Sequence, residues 1–317
     1  MKRQLIVVAL VMCFVVSAQA QMPQMPQMQH VSPAPQGPLA STEWVQAQLQ
    51  DPSLVLLHVG PPASYEAGHL PGARAITAQM ISVTGSSVDG DTLNLQMPDP
   101  AALHAALQDL GISDTSRIVV YAATLPVMTT TTRVVMTLQY AGLGERTWLM
   151  QGGLASWRAE NRPLSTDVPV VTPGTLSPLT VMPLVVDGDA VEALRKSPGV
   201  RIVDARASAL YSGEQTGGGR DTPHKTGHIE GAVNVPFNST YDQQGRFKSV
   251  EELQSLFTAA GVLPGETVVA YCHIGQQATA TIFAARLLGF DVRLYDGSFE
   301  DWSRRPNAAV TNPAIKK

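Results

Sequence analysis

Cys272 is the residue of this 317-residue chain whose type and position most clearly indicate chemistry. It directly follows an apolar run, Val268 to Tyr271, that is typical of a buried β-strand. Five residues then separate it from an alanine-rich segment typical of a helix: His273, Ile274, Gly275, Gln276 and Gln277. A strand end, a flexible glycine and a helix N-terminus near Gln276 can direct several backbone N–H groups towards one anion. We therefore expect Cys272 to react as a thiolate, or to carry a persulfide anion.

Cys272 is also the only cysteine expected in the mature protein. The other cysteine, Cys13, lies in an apolar run, Leu5 to Val16, which follows two basic residues and precedes a small-residue pattern ending at Ala20. This pattern predicts a signal peptide over residues 1–20, hence a periplasmic or secreted protein that leaves the membrane after cleavage. The alternative interpretation of a lone cysteine is a buried, inert apolar side chain, which the strand end and the loop make less attractive.

Composition excludes several other classes of protein. The chain is 44% hydrophobic and 15% charged, which is typical of a globular protein, and its net charge of -4 argues against a nucleic-acid partner. One cysteine and scattered histidines lack the spacing of a metal site, so we expect neither a metal nor a cofactor. Residues 21–38 are rich in Met, Gln and Pro and predict a flexible leader, with binding of soft metal ions as the weaker alternative.

The rest of the chain consists of two similar copies. The strand pattern Leu54–His58 is followed by a turn motif, Gly68–Ala73, and the strand pattern Val200–Asp204 is followed by a similar motif, Gly227–Ala232. Each copy continues with a helical segment closed by a glycine, a second strand, a second helix and a third strand. Such alternation predicts two α/β domains, each a mainly parallel sheet with helices on both faces.

The repeat also sets the expected boundaries. We expect a first domain over residues 39–165, a linker over 166–183 and a second domain over 184–310. Two copies in one chain can pack as a pseudo-dimer, so we expect a monomer.

The two copies differ at the end of the second strand. The second copy has the thiol of Cys272 where the first has the methyl group of Ala122. Residues present in both copies are better explained by structural roles, and these are the matching pairs His69 with His228 and Trp157 with Trp302.

Taken together, these motifs resemble the tandem-domain rhodanese family of sulfurtransferases from about residue 40 onwards. The resemblance is carried by Val203–Arg206, Gly227–Ala232 with Asn234–Pro236, Cys272–Gln277, and Asp296–Ser298 with Trp302. It implies two rhodanese-like domains, of which the second holds the catalytic cysteine. It also implies a ping-pong reaction, in which Cys272 takes a sulfane sulfur from a small-molecule donor and passes it to a thiol or cyanide acceptor.

The resemblance predicts the substrate-binding residues less sharply than the nucleophile. Candidates are the five residues after Cys272 together with Asp204 and Arg206, although these two are better explained as a structural ion pair. In the family members that use thiosulfate, cationic residues directly follow the cysteine. This chain has His273 and Ile274 at those positions.

Other departures from the family also bear on the donor. Members that use 3-mercaptopyruvate favour a Cys-Gly-Ser-Gly loop, which is missing here, and an arginine common in the family is replaced by Leu210. An anionic donor must then be met by the backbone or by the remaining cationic candidates: Arg206, Arg220, Lys225 and His273. Thiosulfate is the first expected donor and 3-mercaptopyruvate the second.

Two alternative functions can be compared with sulfur transfer. A phosphatase of similar architecture requires a Cys-x5-Arg loop, and the sixth residue after Cys272 is Ala278, so the phosphate-binding cation is missing. A non-catalytic persulfide carrier or binding module remains open, because it would need the same thiol.

Overall fold

The computed structural model describes residues 35, 37–124, 128–217 and 225–315. The predicted signal peptide, almost all of the predicted leader and Arg220 lie outside these residues. Within the described part of the chain, no helix combines the length and the apolarity needed to cross a membrane.

The N-terminal half alternates short strands with helices, beginning immediately after the predicted leader. Its elements are β1 (Leu39–Ala40), α1 (Thr42–Gln48), β2 (Leu54–Val59), α2 (Pro62–Glu66), β3 (Arg74–Ile76), β4 (Val83–Ser86), β5 (Thr92–Gln96), α3 (Pro100–Asp109), β6 (Arg117–Ala122), α4 (Met128–Tyr140), β7 (Thr147–Met150) and α5 (Gly153–Ala159). Two 3-10 turns lie at Ala78–Ile81 and Gly144–Arg146.

The C-terminal half repeats this order with different insertions. Its elements are β8 (Val185–Val186), α6 (Gly188–Leu194), β9 (Val200–Asp204), α7 (Ser208–Tyr211), β10 (His228–Ile229), β11 (Val233–Asn234), α8 (Val250–Ala259), β12 (Thr267–Tyr271), α9 (Ala278–Leu287), β13 (Asp291–Tyr295), α10 (Ser298–Arg304) and β14 (Val310–Thr311). One 3-10 turn lies at Phe237–Ser239.

Both halves contain a five-stranded parallel sheet with the same strand order. The first sheet runs β1-β7-β6-β2-β3 and the second runs β8-β13-β12-β9-β11. Since parallel neighbours require a crossover, the helices lie on the sheet faces and the strand ends meet at one edge. The prediction of two α/β domains with mainly parallel sheets is confirmed.

Local sequence signals explain where the long helices begin and end. The side chain of Asp99 accepts a hydrogen bond from Ala101 N–H before α3, and Ser249 and Glu252 form a reciprocal capping box before α8. Gly261, directly after the C-cap residue of α8, has a φ of 85°. This left-handed conformation suits a residue without a side chain, which is why a glycine ends the helix there.

The strands are apolar on both faces, and the core extends through both halves. Alternate residues of β12 therefore belong to different clusters: Val268 and Ala270 face one, Val269 and Tyr271 the other. Helices α4 and α9 cover the first of these faces in their respective halves and contact each other. Because this apolar cluster includes residues of both sheets, the two halves share one continuous core.

The antiparallel pair β4–β5 was not predicted from the sequence. It lies between β3 and α3, and its inward residues Leu93 and Leu95 are buried. Leu95 has a φ of 56°, which is unfavourable for a residue with a side chain, so tertiary contacts must hold its backbone in place. The polar alternation of this segment is short, and the second copy has only one antiparallel bridge, Tyr241 with Phe247, at the equivalent place among its described residues.

A buried tyrosine occupies the same position in both sheets but has different partners. In the second half, the Tyr271 hydroxyl donates to Asp204 at 2.7 Å and accepts from Ile229 N–H at 3.0 Å. In the first half, Tyr121 is hydrogen-bonded to His58 Nδ1 at 3.1 Å and accepts from a backbone N–H in the same way. A neutral imidazole therefore stands where the second half has a carboxylate.

His58 makes the stability of the fold sensitive to pH. Its pKa falls from 6.5 to about 4, mainly because burial removes the imidazole from water, with smaller contributions from the charges of His69 and Arg158. Between these values the unfolded chain binds a proton that the folded chain does not, so the free energy of unfolding falls as the pH drops, by at most about 1.4 kcal/mol per pH unit.

We predict that His58→Gln flattens this pH dependence. Urea denaturation should show a smaller difference in the free energy of unfolding between about pH 7 and about pH 5 in the variant than in the wild type. Overall stability will also fall, so only the slope is diagnostic. If the free energy of unfolding changed equally with pH in the variant and the wild type, groups other than His58 would cause the pH dependence.

Candidate active site

Cys272 lies directly after β12, at the carboxyl edge of the second sheet. Its side chain has no exposed surface and belongs to the apolar cluster that also contains Ala205, Val235 and Ala278. The following residues, His273 and Ile274, are half-buried. The strand-end position agrees with a reactive thiol, but a donor reaches the sulfur only if the loop or its covering side chains move.

The loop after Cys272 turns at Gly275, as its sequence predicts. Gly275 has a φ of 77°, and a side-chain carbon there would lie 2.7 Å from the carbonyl oxygen of Asp296. A glycine is therefore required both for the backbone conformation and for the close approach of the neighbouring loop. The first residue of α9 is Ala278, two residues later than the start predicted from the sequence, because Gln276 and Gln277 form the end of the turn.

Hydrogen bonds from the neighbouring α10 segment fix the backbone of Cys272. Its N–H donates to Ser298 Oγ at 3.2 Å, and its carbonyl accepts from Phe299 N–H at 3.1 Å. The next carbonyl, that of His273, accepts from Glu300 N–H at 3.0 Å. These contacts hold the peptide groups on both sides of the thiol, whereas the predicted set of N–H groups around the sulfur itself stays a prediction.

Ser298 adopts a conformation that is rare for a residue with a side chain. It is fully buried, with a φ of 53°, and its hydroxyl donates to Tyr295 C=O at 2.8 Å while accepting from Cys272 N–H. The left-handed backbone costs roughly 1–2 kcal/mol for a non-glycine residue, and the two hydrogen bonds offset this cost. The strain is therefore located next to the candidate nucleophile.

The half without the cysteine also contacts the loop. Gln276 Nε2 donates to Thr130 Oγ1 of α4 at 2.8 Å, and the hydroxyls of Thr132 and Thr279 are 2.8 Å apart across the α4–α9 contact. Arg133, also on α4, donates to the carbonyl oxygen of Gly275 at 3.3 Å. The loop is thus held by residues from both halves of the chain.

Asp204 and Arg206 form a buried ion pair on the sheet face opposite Cys272. Arg206 Nη2 lies 2.5 Å from Asp204 Oδ2, and it also donates to the carbonyl oxygen of Gly227 at 2.7 Å. The guanidinium stacks on the ring of Phe299, 4.0 Å from its centroid. The geometry agrees with a structural pair, and binding of substrate by these two residues stays a prediction.

The Asp204 carboxylate also orders Tyr271, which precedes the cysteine. Burial and the nearby Asp204 charge raise the pKa of the Tyr271 hydroxyl well above its usual value, so it stays a hydrogen-bond donor at any physiological pH. The tyrosine anchors the end of β12 on one face while Cys272 occupies the other.

Two of the cationic residues proposed to meet an anionic donor, Arg206 and Lys225, are engaged with other groups of the protein. Lys225 donates to the carbonyl oxygens of Arg305 and Ala308, at 2.6 and 2.8 Å, beyond the C-terminal end of α10. Burial lowers the pKa of its ammonium group. Arg220 lies outside the described residues, and Arg206 is engaged with Asp204.

The residues shared by both copies have structural surroundings. His69 and His228 stack on Tyr65 and Tyr211, with ring centroids 3.8 Å apart in both cases, and each histidine is hydrogen-bonded to the carbonyl of the tyrosine on which it stacks. The indole N–H groups of the paired tryptophans donate to backbone carbonyls: Trp157 to Pro163, and Trp302 to Ala309. These arrangements agree with the structural roles expected from the repeat.

A cavity of about 580 Å³ opens beside the last residue of the loop, Gln277. The lining combines aromatic rings, hydroxyl groups and side-chain amides with one carboxylate. Its residues are Thr129, Phe237, Asn238, Tyr241, Asp242, Gln243 and Gln277. Among the described residues of this lining there is no cationic side chain, so a small dianion bound here would depend on neutral donors, namely side-chain amide, hydroxyl and backbone N–H groups.

Comparison with known proteins now assigns the fold to a family. The sequence matches the family of the rhodanese-like domain twice, over residues 41–160 and 187–305. The chain belongs to the rhodanese family. Each match contains four of the five strands of one parallel sheet, so the chain is a tandem rhodanese whose second domain has the strand-end cysteine.

Curated rhodanese relatives support a role in sulfur transfer. A probable 3-mercaptopyruvate sulfurtransferase of Pseudomonas aeruginosa is 29% identical, over 86% of this chain and 97% of that protein. The sulfur carrier protein TtuD of Thermus thermophilus is 31% identical, over 83% and 93%. A putative thiosulfate sulfurtransferase of Haloferax volcanii is 30% identical, over 86% and 95%. The expectation of a sulfurtransferase is confirmed, while the names of the relatives differ in the donor.

Solved structures show the same rhodanese fold at lower identity. A complex of EanB with ergothioneine has a TM-score of 0.76 and 22% sequence identity, and it covers 88% of this chain and 71% of its own.

Sequence reasoning missed three residues that surround the cysteine loop. Asp296 and Ser298 were recognised as part of a motif but were given no role, and Arg133 was not considered because it lies on a helix of the copy without the thiol. The one available signal was an arginine between threonines and valines in a segment that is otherwise suited to burial.

We predict that the hydroxyl of Ser298 stabilises the fold through Cys272 N–H. Ser298→Ala should lower the free energy of unfolding by about 1–3 kcal/mol, because a buried N–H loses its partner while the left-handed backbone remains. Ser298→Gly loses the same hydrogen bond but tolerates the backbone, so it should be less destabilised. Urea denaturation gives both values. A Ser298→Ala protein as stable as the wild type would show that the hydroxyl does not satisfy the N–H in solution.

Proposed function

We propose that this protein is a sulfurtransferase that moves a sulfane sulfur through a persulfide on Cys272. The observation that carries the proposal is the placement of a single thiol at the carboxyl end of β12, in a glycine turn before α9, where the other copy has Ala122. Membership of the rhodanese family and the names of the curated relatives support the same reaction.

The reaction has two steps that return Cys272 to its starting state. With thiosulfate, the thiolate attacks the outer sulfur, the S–S bond breaks, and sulfite leaves with the bonding electron pair. With 3-mercaptopyruvate, the C–S bond breaks instead, and the carbon takes the electron pair and a proton to form pyruvate. An acceptor such as cyanide or a thiolate then attacks the terminal sulfur of the persulfide, and the Cys272 thiolate leaves.

Thiosulfate is the first donor of the proposal and 3-mercaptopyruvate the second. Relatives named for each donor are similar to this chain to nearly the same degree. The lining of the cavity beside Gln277 offers amides and aromatic rings, without a cation among its described residues. We therefore expect weak binding of a dianionic donor.

A persulfide carrier is the second candidate function, and one specific observation favours it. The relative named as a sulfur carrier is 31% identical, as close as the relatives named as enzymes. A carrier would form the same Cys272 persulfide but release it to a protein partner, without turnover on small donors. In either case we propose that the mature protein acts outside the cytoplasm as a monomer.

We predict that Cys272→Ser abolishes sulfur transfer. Thiocyanate formation from each donor and cyanide should fall to background, because serine cannot form a persulfide. In the wild type, mass measurement after incubation with the effective donor should show one added sulfur, mapped to the peptide containing Cys272. Full transfer by the serine variant would refute the proposal. A stable persulfide without turnover on either donor would favour the carrier.

A matched control moves the thiol to the other copy. Ala122→Cys in the Cys272→Ser background places a cysteine at the equivalent strand end, where the next five residues of the sequence contain no glycine. We expect no restored transfer, since the loop is needed to activate the thiol.

We also predict that Ile274→Lys improves the use of thiosulfate. A positive charge two residues after the cysteine should lower KM for thiosulfate by roughly tenfold at low ionic strength, and salt should reduce the gain. Ile274→Met serves as the control for shape. An equal effect of the methionine variant, or a gain that salt leaves unchanged, would rule out charge as the cause.

A further inference from the structure

Arg133 is a buried cation of the N-terminal half whose contacts lie mostly in the C-terminal half. Its side chain is 1% exposed. One terminal nitrogen, Nη1, lies 2.7 Å from Asp296 Oδ1 and 3.3 Å from the carbonyl oxygen of Gly275. The other, Nη2, donates to the carbonyl oxygen of Leu95. A single guanidinium therefore joins α4, β5 and both loops that surround Cys272.

Asp296 receives further contacts from the N-terminal half. Its Oδ2 accepts from Met97 N–H at 2.5 Å, and its carbonyl oxygen accepts from Gln96 Nε2 at 3.3 Å. These donors follow Leu95, whose left-handed backbone aims its carbonyl at Arg133. The end of the β4–β5 pair and α4 thus hold the same aspartate from two directions.

The path from Asp296 to the thiol is only a few atoms long. Gly297 connects Asp296 to Ser298, whose hydroxyl accepts from Cys272 N–H. On the other side, Arg133 bonds directly to the carbonyl of Gly275, the residue at which the cysteine loop turns. A Cβ atom added at Gly275 would lie 3.1 Å from Asp296 Oδ1 and 3.2 Å from Arg133 Nη1. The ion pair therefore packs directly against the turn.

We propose that Arg133 is a positioning residue, through which the half without a cysteine holds the Cys272 loop in its reactive conformation. The planar guanidinium suits this role, because it bonds a carboxylate and two carbonyls at fixed angles, which a lysine ammonium cannot reproduce. This proposal rests on Cys272 being the nucleophile of the proposed function. It extends that function by assigning a task to the first domain.

An ion pair that only joins the two halves is the competing explanation. Such a pair would affect global stability but not the turn at Gly275 in particular. Hydrogen–deuterium exchange of the peptide containing residues 272–277 separates the two, because it reports on the loop without requiring any sulfur transfer.

The test compares three variants of the full chain with one control. Arg133→Met removes the charge and all three hydrogen bonds, and Arg133→Lys keeps the charge. Arg133→Met combined with Asp296→Asn also removes the uncompensated carboxylate, so it should be less destabilised than the single variant. Gln151→Ala is the control, because Gln151 Oε1 accepts from Phe247 N–H, a contact between the halves that involves neither loop.

In both methionine variants we expect exchange in residues 272–277 to rise about tenfold beyond any change in global stability. The kcat for the effective donor should fall about tenfold with little change in KM. Arg133→Lys should recover part of both losses, and Gln151→Ala should change neither. Exchange and kcat at wild-type levels in the folded double variant would overturn the proposal.

The two proposals fail in different ways. Activity that survives Cys272→Ser, together with a loop loosened by Arg133→Met, would refute the sulfurtransferase mechanism and leave the support of the loop intact. Activity lost in Cys272→Ser, with a loop and kcat unaffected by the loss of Arg133, would refute only the positioning role.

Discussion

The surroundings of the thiol depend on one buried ion pair that crosses between the halves of the chain. Arg133 and Asp296 meet at 2.7 Å, with side chains 1% and 8% exposed. Removing either charge would leave the other in a nearly dry environment, which is strongly destabilising, whereas in the pair each charge compensates the other. Because Asp296 precedes Ser298, and Ser298 bonds Cys272 N–H, the pair is connected to the nucleophile through a short segment of fixed backbone.

The two sheets show how the same framework can be used for different chemistry. Strand order is identical in both halves, and Tyr121 and Tyr271 occupy matching positions. In one half the tyrosine is bonded to an imidazole and the strand ends in Ala122, while in the other it is bonded to a carboxylate and the strand ends beside a thiol. Buried polar pairs of different charge are thus accommodated without changing the fold, because each group finds a partner within hydrogen-bond distance.

Most of the architecture could be predicted from local patterns, because strand composition, helix caps and glycine stops are local properties. The strand β9 was predicted residue for residue, and the turn at Gly275 followed from its position after a strand. Contacts between the halves could not be predicted in this way. Arg133 lies 139 positions before Cys272 in the sequence, and only the packing of α4 on α9 brings it to the loop.

The burial of Cys272 was likewise beyond sequence reasoning. An apolar strand end is compatible with an open or a covered side chain, and Cys272 here belongs to an apolar cluster that includes residues distant in sequence, such as Ala205 and Val235. The β4–β5 pair was missed for a related reason: the left-handed backbone of Leu95 is unfavourable by itself and is stabilised by Arg133.

The apolar cluster that contains residues of both sheets should couple the unfolding of the two halves. Since α4 and α9 bury faces against each other, melting one half exposes apolar surface of the other, and the two should unfold in a single cooperative transition. The copy that has Ala122 in place of the thiol is then not dispensable for folding. Its deletion would expose the apolar face of α9 that now packs against α4.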